Sequence, residues 1–171
     1  MKKIITIVVL VAVVAGGAWY WISREPAAPT FLIEGQPILL VDGRAETDAA
    51  PGAASKTVTQ YFGNVATGDL SGDGAPDIAF LLTQNSGGSG TFYYVVATLV
   101  AADGSYQGTN AILLGDRIAP QTTEIRDGML IVNYAERRPS EPMTTQPSLG
   151  VSKYLRVEGT TLVEVSPPAL N

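Results

Sequence analysis

The hydrophobic pattern changes character once, near residue 23. Residues 4–22 form an apolar run without a charge. As a helix, a run of that length crosses about 30 Å of hydrocarbon. Beyond it, no segment keeps a sustained 3.6-residue period. Short apolar runs alternate instead with Gly, Asp-Gly and Pro punctuation, which predicts strands and turns.

The runs predict strands over Phe31–Glu34 and Ile38–Val41 around a Gly35-Gln36-Pro37 turn, with Asp42-Gly43 as the next turn. Residues 47–55 are small and breaker-rich and read as a loop. Lys56–Ala66 follows as a strand, with Val58, Tyr61 and Phe62 as its apolar anchors. Ile78–Thr83 and Thr91–Val100 are strongly apolar. In the second, both alternating sets are mostly apolar, which predicts a central strand covered on both faces. Ala111–Leu114 is a shorter strand. Thr122–Arg126 and Met129–Tyr134 flank Asp127-Gly128, and Val151–Val157 and Thr160–Val165 flank Glu158-Gly159, so both pairs have hairpin spacing. The expected fold is all-β: one sandwich or barrel-like domain of short antiparallel strands after one N-terminal transmembrane helix. The division is 1–22 transmembrane anchor or signal peptide, 23–30 Pro/Ala linker, 31–165 β-domain, and 166–171 tail.

At the N-terminus, Lys2 and Lys3 predict a cytoplasmic end, and Trp19, Tyr20 and Trp21 suit the far interface. The expected location is the cell membrane, single-pass, with the β-domain extracytoplasmic. The alternative is a secreted or periplasmic protein cleaved near Ala18, where Gly16-Gly17-Ala18 supplies small residues. The chain contains no Cys, which removes a disulfide framework and lipid attachment through an N-terminal Cys.

Charge sharpens the picture. The segment from residue 25 onward carries all 16 acidic residues and 8 of the 11 basic ones, a net charge of −8. Such a surface disfavours nucleic acid and anionic membrane surfaces and is compatible with cation binding.

The most distinctive chemistry lies in Asp69-Leu70-Ser71-Gly72-Asp73-Gly74-Ala75-Pro76-Asp77. Oxygen side chains stand at loop positions 1, 3, 5 and 9, with glycines between them. A hard cation such as Ca²⁺ takes six to eight oxygens from a curled loop of this kind. Position 12 is Phe80 rather than Glu, and a strand follows rather than a helix, so this is not an EF-hand. The competing reading is an Asp/Gly turn without a metal. The nine residues resemble the calcium loops of FG-GAP and integrin-type β-propeller repeats. That resemblance implies Asp69, Ser71, Asp73 and Asp77 as side-chain ligands and the Ala75 carbonyl as a further one, holding a structural Ca²⁺. Ser71 departs from the Asp or Asn usual there, leaving three carboxylates and an expected lower affinity. A complete propeller is excluded, because there is one such loop and chain for only one or two blades.

Other chemistry is sparse. Without His or Cys there is no Ser-His-Asp triad, His-ligated zinc or thiol nucleophile. Ser55-Lys56 and Ser152-Lys153 are adjacent pairs and do not match a Ser-x-x-Lys dyad. Both Trp residues lie in the N-terminal apolar run, so the β-domain offers none for sugar stacking. The glycines of Gln84–Gly90 could form an anion nest, but no Lys or helix follows, and a hairpin connection is expected. Residues 135–150 hold three prolines and read as a long loop, with Arg137 and Arg138 expected to pair with an acidic surface on the domain or a partner.

The run Tyr61–Gln84, with GGSGTFYYVVA, LLGDRIAPQ and EPMTTQPS, resembles small exported bacterial proteins of no assigned activity, which implies export but transfers no catalytic residue. The sequence thus predicts a membrane-tethered, Ca²⁺-binding extracytoplasmic β-domain, a binding or envelope-associated module acting on a protein or envelope component. A binding role is favoured over an enzymatic one, which stays open. The alternatives are a secreted carboxylate-dependent hydrolase, or an inhibitor-type module docking through 135–150.

Overall fold

The computed structural model describes residues 29–50, 52–101 and 103–168. The apolar run 4–22 lies outside the described residues. No helix among them is long and apolar enough to cross a membrane. The described chain is all-β. Its strands are β1 (Thr30–Ile33), β2 (Gln36–Leu39), β3 (Arg44–Asp48), β4 (Lys56–Gly68), β5 (Asp77–Asn85), β6 (Phe92–Val100), β7 (Tyr106–Gly108), β8 (Ile112–Asp116), β9 (Ala119–Arg126), β10 (Met129–Glu136), β11 (Leu149–Glu158) and β12 (Thr161–Val165).

They form three sheets. The β1–β2 hairpin stands alone, β3 to β7 follow one another in a six-stranded sheet in which β8 also pairs with β6, and the last sheet runs β12-β11-β10-β9. All ladders are antiparallel. The architecture follows from β5 and β6. Along β6, Val95, Ala97 and Leu99 enter one buried cluster with Leu130, Leu155 and Leu162 of the four-stranded sheet. Tyr94 and Val96 enter a second cluster with Phe31, Ile33 and Ile38 of the β1–β2 hairpin. In β5, Leu81 joins the first cluster and Leu82 the second. A strand apolar on both faces is thereby covered on both, as its sequence predicts.

Buried polar groups join the layers at the β7–β8 connection. Thr109 is fully buried. Its N–H donates to Ala97 O, its hydroxyl oxygen accepts from Ala97 N–H at 3.0 Å, and its own carbonyl accepts from Leu32 N–H. The Asn110 side chain then acts as a piece of backbone toward β12. Its Oδ1 accepts from Leu162 N–H at 2.6 Å and its Nδ2 donates to Leu162 O at 3.1 Å. Three sheets meet in two residues. Beside them, a Cβ on Gly108 would lie 2.3 Å from the Thr30 carbonyl oxygen, so glycine is required for the hairpin to approach. Across the fold, Asn64 Nδ2 donates to Thr123 Oγ1 at 3.2 Å and joins β4 to β9.

Several boundaries differ from the sequence reading. The first turn is Glu34-Gly35, with φ of 51° and 80°, rather than Gly35-Gln36-Pro37; both central residues are left-handed, the geometry that matches strand twist in a two-residue hairpin. Pro37 sits inside β2, opposite Leu32. The sequence gives no strand signal for β3, whose last two residues fall in the expected 47–55 loop, because Arg44–Asp48 offers only Ala45 as an apolar residue. In β4, Thr57 and Thr59 are buried, while Tyr61 and Phe62 are both 45% exposed. These two anchors instead rest on neighbouring rings, Tyr61 tilted on Phe80 and Phe62 edgewise on Tyr93, at centroid distances of 5.3 and 5.2 Å. Register shifts between Tyr61 and Ala66 turn the strand and spoil its simple alternation.

The hairpin layer carries a polar tie. Tyr94 OH donates to Glu34 Oε1 at 3.2 Å. Burial, reinforced by the Glu34 charge, pushes the Tyr94 hydroxyl up to about 12. Its folded value lies above the ordinary tyrosine value near 10, so the neutral form is favoured in the folded protein. The associated stability is complete below pH ~10 and is lost as pH rises toward ~12, by about 2–3 kcal/mol. Denaturant unfolding of the full chain and its Tyr94→Phe variant from pH 8 to 12 should show a smaller decline in the variant; equal declines would place the titration elsewhere.

Candidate functional site

The loop Asp69–Asp77 connects β4 to β5, and its closing residue organises it. Asp77 is fully buried. Its Oδ2 accepts from Leu70 N–H at 2.9 Å and Ser71 N–H at 2.7 Å. Its Oδ1 accepts from Val100 N–H at 2.9 Å. One carboxylate therefore pins the start of the loop to its end and both to the end of β6. Leu70, buried in the main core, is drawn in by the same clamp.

The other two carboxylates stand on the exposed rim. Asp69 accepts from Gly72 N–H at 2.7 Å on Oδ1 and from Gly74 N–H at 3.0 Å on Oδ2. Asp73 Oδ1 accepts from Ala75 N–H at 2.8 Å. Ser71 is exposed and Ala75 half-buried. The loop thus brings Asp69, Ser71, Asp73, Ala75 and Asp77 into one turn, but each carboxylate faces backbone amides. Among the described residues, no group of three or more His, Cys, Asp or Glu side chains stands together as a metal-holding set. The donor chemistry is oxygen throughout, which suits a hard cation. The amides also resolve the charge problem posed by three acidic groups, because six N–H dipoles point at them.

A second polar hub lies around the long loop, which the strands shorten to residues 137–148. Arg137 extends its guanidinium to two backbone carbonyls, donating from Nη1 to Arg117 O at 2.9 Å and from Nε to Thr145 O. Arg138 pairs with Glu141 at 3.2 Å, and the half-buried Glu141 carboxylate also accepts from the Arg138 N–H. The hydrogen bond from that N–H is the main cause holding Glu141 below the usual carboxylate range. Next to the hub, burial pushes the Asp116 carboxyl up, but hydrogen bonds from Arg117 and from Thr91 N–H outweigh it and hold it below its ordinary value. Arg138 thus meets the expected acidic partner on the domain itself, whereas Arg137 ties loop to turn through carbonyls. The glycine connection after β5 is held locally, with Gly87 N–H donating to Asn85 Oδ1 and Asn85 Nδ2 to Gly90 O.

The sequence reading passed over Thr109-Asn110 and the Glu34–Tyr94 contact. Neither has a local signal, since each partner lies far along the chain. No protein-family model, curated protein or solved structure matches this chain.

The clamp has a measurable consequence. Asp77→Asn puts an amide N–H₂ against N–H donors. Hydrogen bonds to charged groups contribute about 1.5–3 kcal/mol each. The variant of the full chain should lose at least about 3 kcal/mol in chelator-containing buffer, measured by denaturant unfolding. The rim variant Asp73→Asn should lose less than about 1 kcal/mol. Equal losses would remove the distinction between clamp and rim.

Proposed function

We propose that this protein is a membrane-tethered extracytoplasmic β-domain that acts by binding a protein or envelope component and takes Ca²⁺ on the loop Asp69–Asp77. The observation that carries the metal reading is the disposition of donors. The exposed Asp69, Ser71 and Asp73 share one turn whose ends the buried Asp77 clamps together. Amides occupy part of the acceptor capacity of Asp69 and Asp73 and leave lone pairs for a cation. Ala75 would add its carbonyl, and Asp77 would contribute through Oδ1, which accepts only one N–H. The cation supplies positive charge among oxygens and ties the rim to the clamp. Its role is structural, and no residue is assigned to catalysis.

A loop with three carboxylates suits the roughly 10⁻⁴–10⁻³ M dissociation constants of extracellular modules. At a hundredfold excess over that constant, binding to the folded state alone adds about 2.7 kcal/mol. Millimolar Ca²⁺ should therefore raise the melting temperature of the full chain by several degrees. Mg²⁺ should raise it much less, because a curled loop suits its octahedron poorly. Asp73→Ala should abolish the gain. A calorimetric titration without heat at millimolar Ca²⁺, together with an unchanged melting temperature, would leave the loop a plain turn.

The tether rests on residues 4–22 and the aromatic trio Trp19, Tyr20 and Trp21. The protein should fractionate with membranes and keep its N-terminus. N-terminal sequencing that begins at Trp19 would show cleavage and a released domain instead.

A further inference from the structure

The six-stranded sheet ends at β3, and the way the chain leaves β2 opens a cleft beside that edge. Val41 and Arg44 close a tight turn through two backbone hydrogen bonds, Val41 N–H to Arg44 O at 2.9 Å and Arg44 N–H to Val41 O at 3.0 Å. Beyond it the two strands part. β2 rises with β1 to cover the second core cluster, while β3 stays in the sheet against β4. A wedge remains between them.

The register says which backbone groups face the wedge. Tyr61 N–H donates to Gly43 O and Ala49 N–H to Ser55 O. In the same ladder Ala45 and Thr47 exchange their bonds with β4, because hydrogen-bonded positions alternate along an antiparallel pair. The N–H and C=O groups of Glu46 and Asp48 consequently point away from the sheet, and among the described residues β4 is the one strand that pairs with β3. An edge of this kind is a template for an added strand.

The cavity beside it is polar and of useful size. About 340 Å³ lies between Glu34 and Ile38 above and Thr47, Thr57, Gln84 and Ser86 below. It continues outward as a second hollow of about 440 Å³ between Gln36–Pro37 and Thr47–Ala50. Thr57 Oγ1 donates to Ser86 Oγ at 2.9 Å, and Gln84 Nε2 donates to the Thr59 hydroxyl at 3.2 Å, so these side chains are held in place. Glu34 is fixed at the tip of a left-handed turn and oriented by Tyr94 OH. The ion pairs of the described residues leave Glu34 without a cationic partner. A strand added to β3 would send alternate side chains to the Thr47 side, into this space.

We propose that the cleft between β2 and β3 is a docking site for an extended basic peptide segment, which adds as a strand to the β3 edge and places one Lys or Arg side chain beside Glu34. The basic character follows from the Glu34 carboxylate and from the net charge of −8 carried by residues 25–171, where all 16 acidic residues meet 8 of the 11 basic ones. The site rests on the reading of the protein as a binding domain, but not on the cation loop.

The test uses a fluorescein-labelled, end-capped peptide of about six residues alternating Lys and Val, the usual strand length, titrated by anisotropy against the full chain in detergent micelles. Saturable binding is expected. It should fall about tenfold or more when alternate peptide amides are N-methylated, because edge hydrogen bonds are lost. Glu34→Gln should weaken the Lys peptide several-fold and leave a Gln-for-Lys peptide unchanged. Glu46→Pro removes an outward N–H without touching the β4 ladder and should abolish binding. Asp73→Ala should leave it intact, so failure of the calcium reading and failure of this one are separable. Equal binding of the N-methylated peptide, indifference to Glu34→Gln, loss on Asp73→Ala, or no binding at millimolar peptide would each overturn the proposal, as would a chain that dimerises through β3 and ignores the peptide.

Discussion

Both alternating sets of side chains on β6 are mostly apolar, and that constraint governs the rest of the molecule. A two-faced strand is stable only if a layer packs on each side, since burial contributes about 25 cal/mol per Å² of apolar surface removed from water. The chain meets this in two ways. The four-stranded sheet covers the face bearing Val95 and Ala97, and the small β1–β2 hairpin covers the face bearing Tyr94 and Val96. The hairpin cover is not self-sufficient, because a two-stranded hairpin is marginal alone.

Layers joined only by apolar contact can slide. Here buried polar residues fix their positions. Thr109 and Asn110 give backbone and side-chain hydrogen bonds to β6, β1 and β12 at one place. Asp77 does the same at the end of β6, where its two oxygens satisfy three amides from the loop and the strand. No buried side-chain polar atom among the described residues lacks a partner. Because an unpaired polar group in such a setting costs about 1–3 kcal/mol, these contacts select one arrangement of layers over its near neighbours.

The two surfaces of interest occupy different parts of this frame. The acidic loop sits between β4 and β5, locked from beneath and open at its rim. The β2–β3 cleft exists because the hairpin must leave the sheet to cover the second cluster, which strands the β3 edge beside a polar hollow. Exposed ion pairs, Arg44 with Glu46 and Lys56 with Asp48, line β3 beside that edge.

The sequence by itself determined that the chain beyond residue 30 would be β, that Thr91–Val100 would be covered twice, and that Asp127-Gly128 would turn a hairpin, since apolar period, length and left-handed turn residues are local properties. The nine-residue acidic loop was legible for the same reason. The tertiary structure decided what local pattern does not encode. It made a strand of Arg44–Asp48, where pairing with β4 outweighs a polar composition, and it exposed Tyr61 and Phe62, where register shifts turn β4. It also gave Asp77 a structural task, because the third amide it satisfies belongs to Val100, 23 residues along the chain. Contacts of that separation depend on how layers stack, and stacking is a property of the assembled sheets rather than of any one stretch of residues.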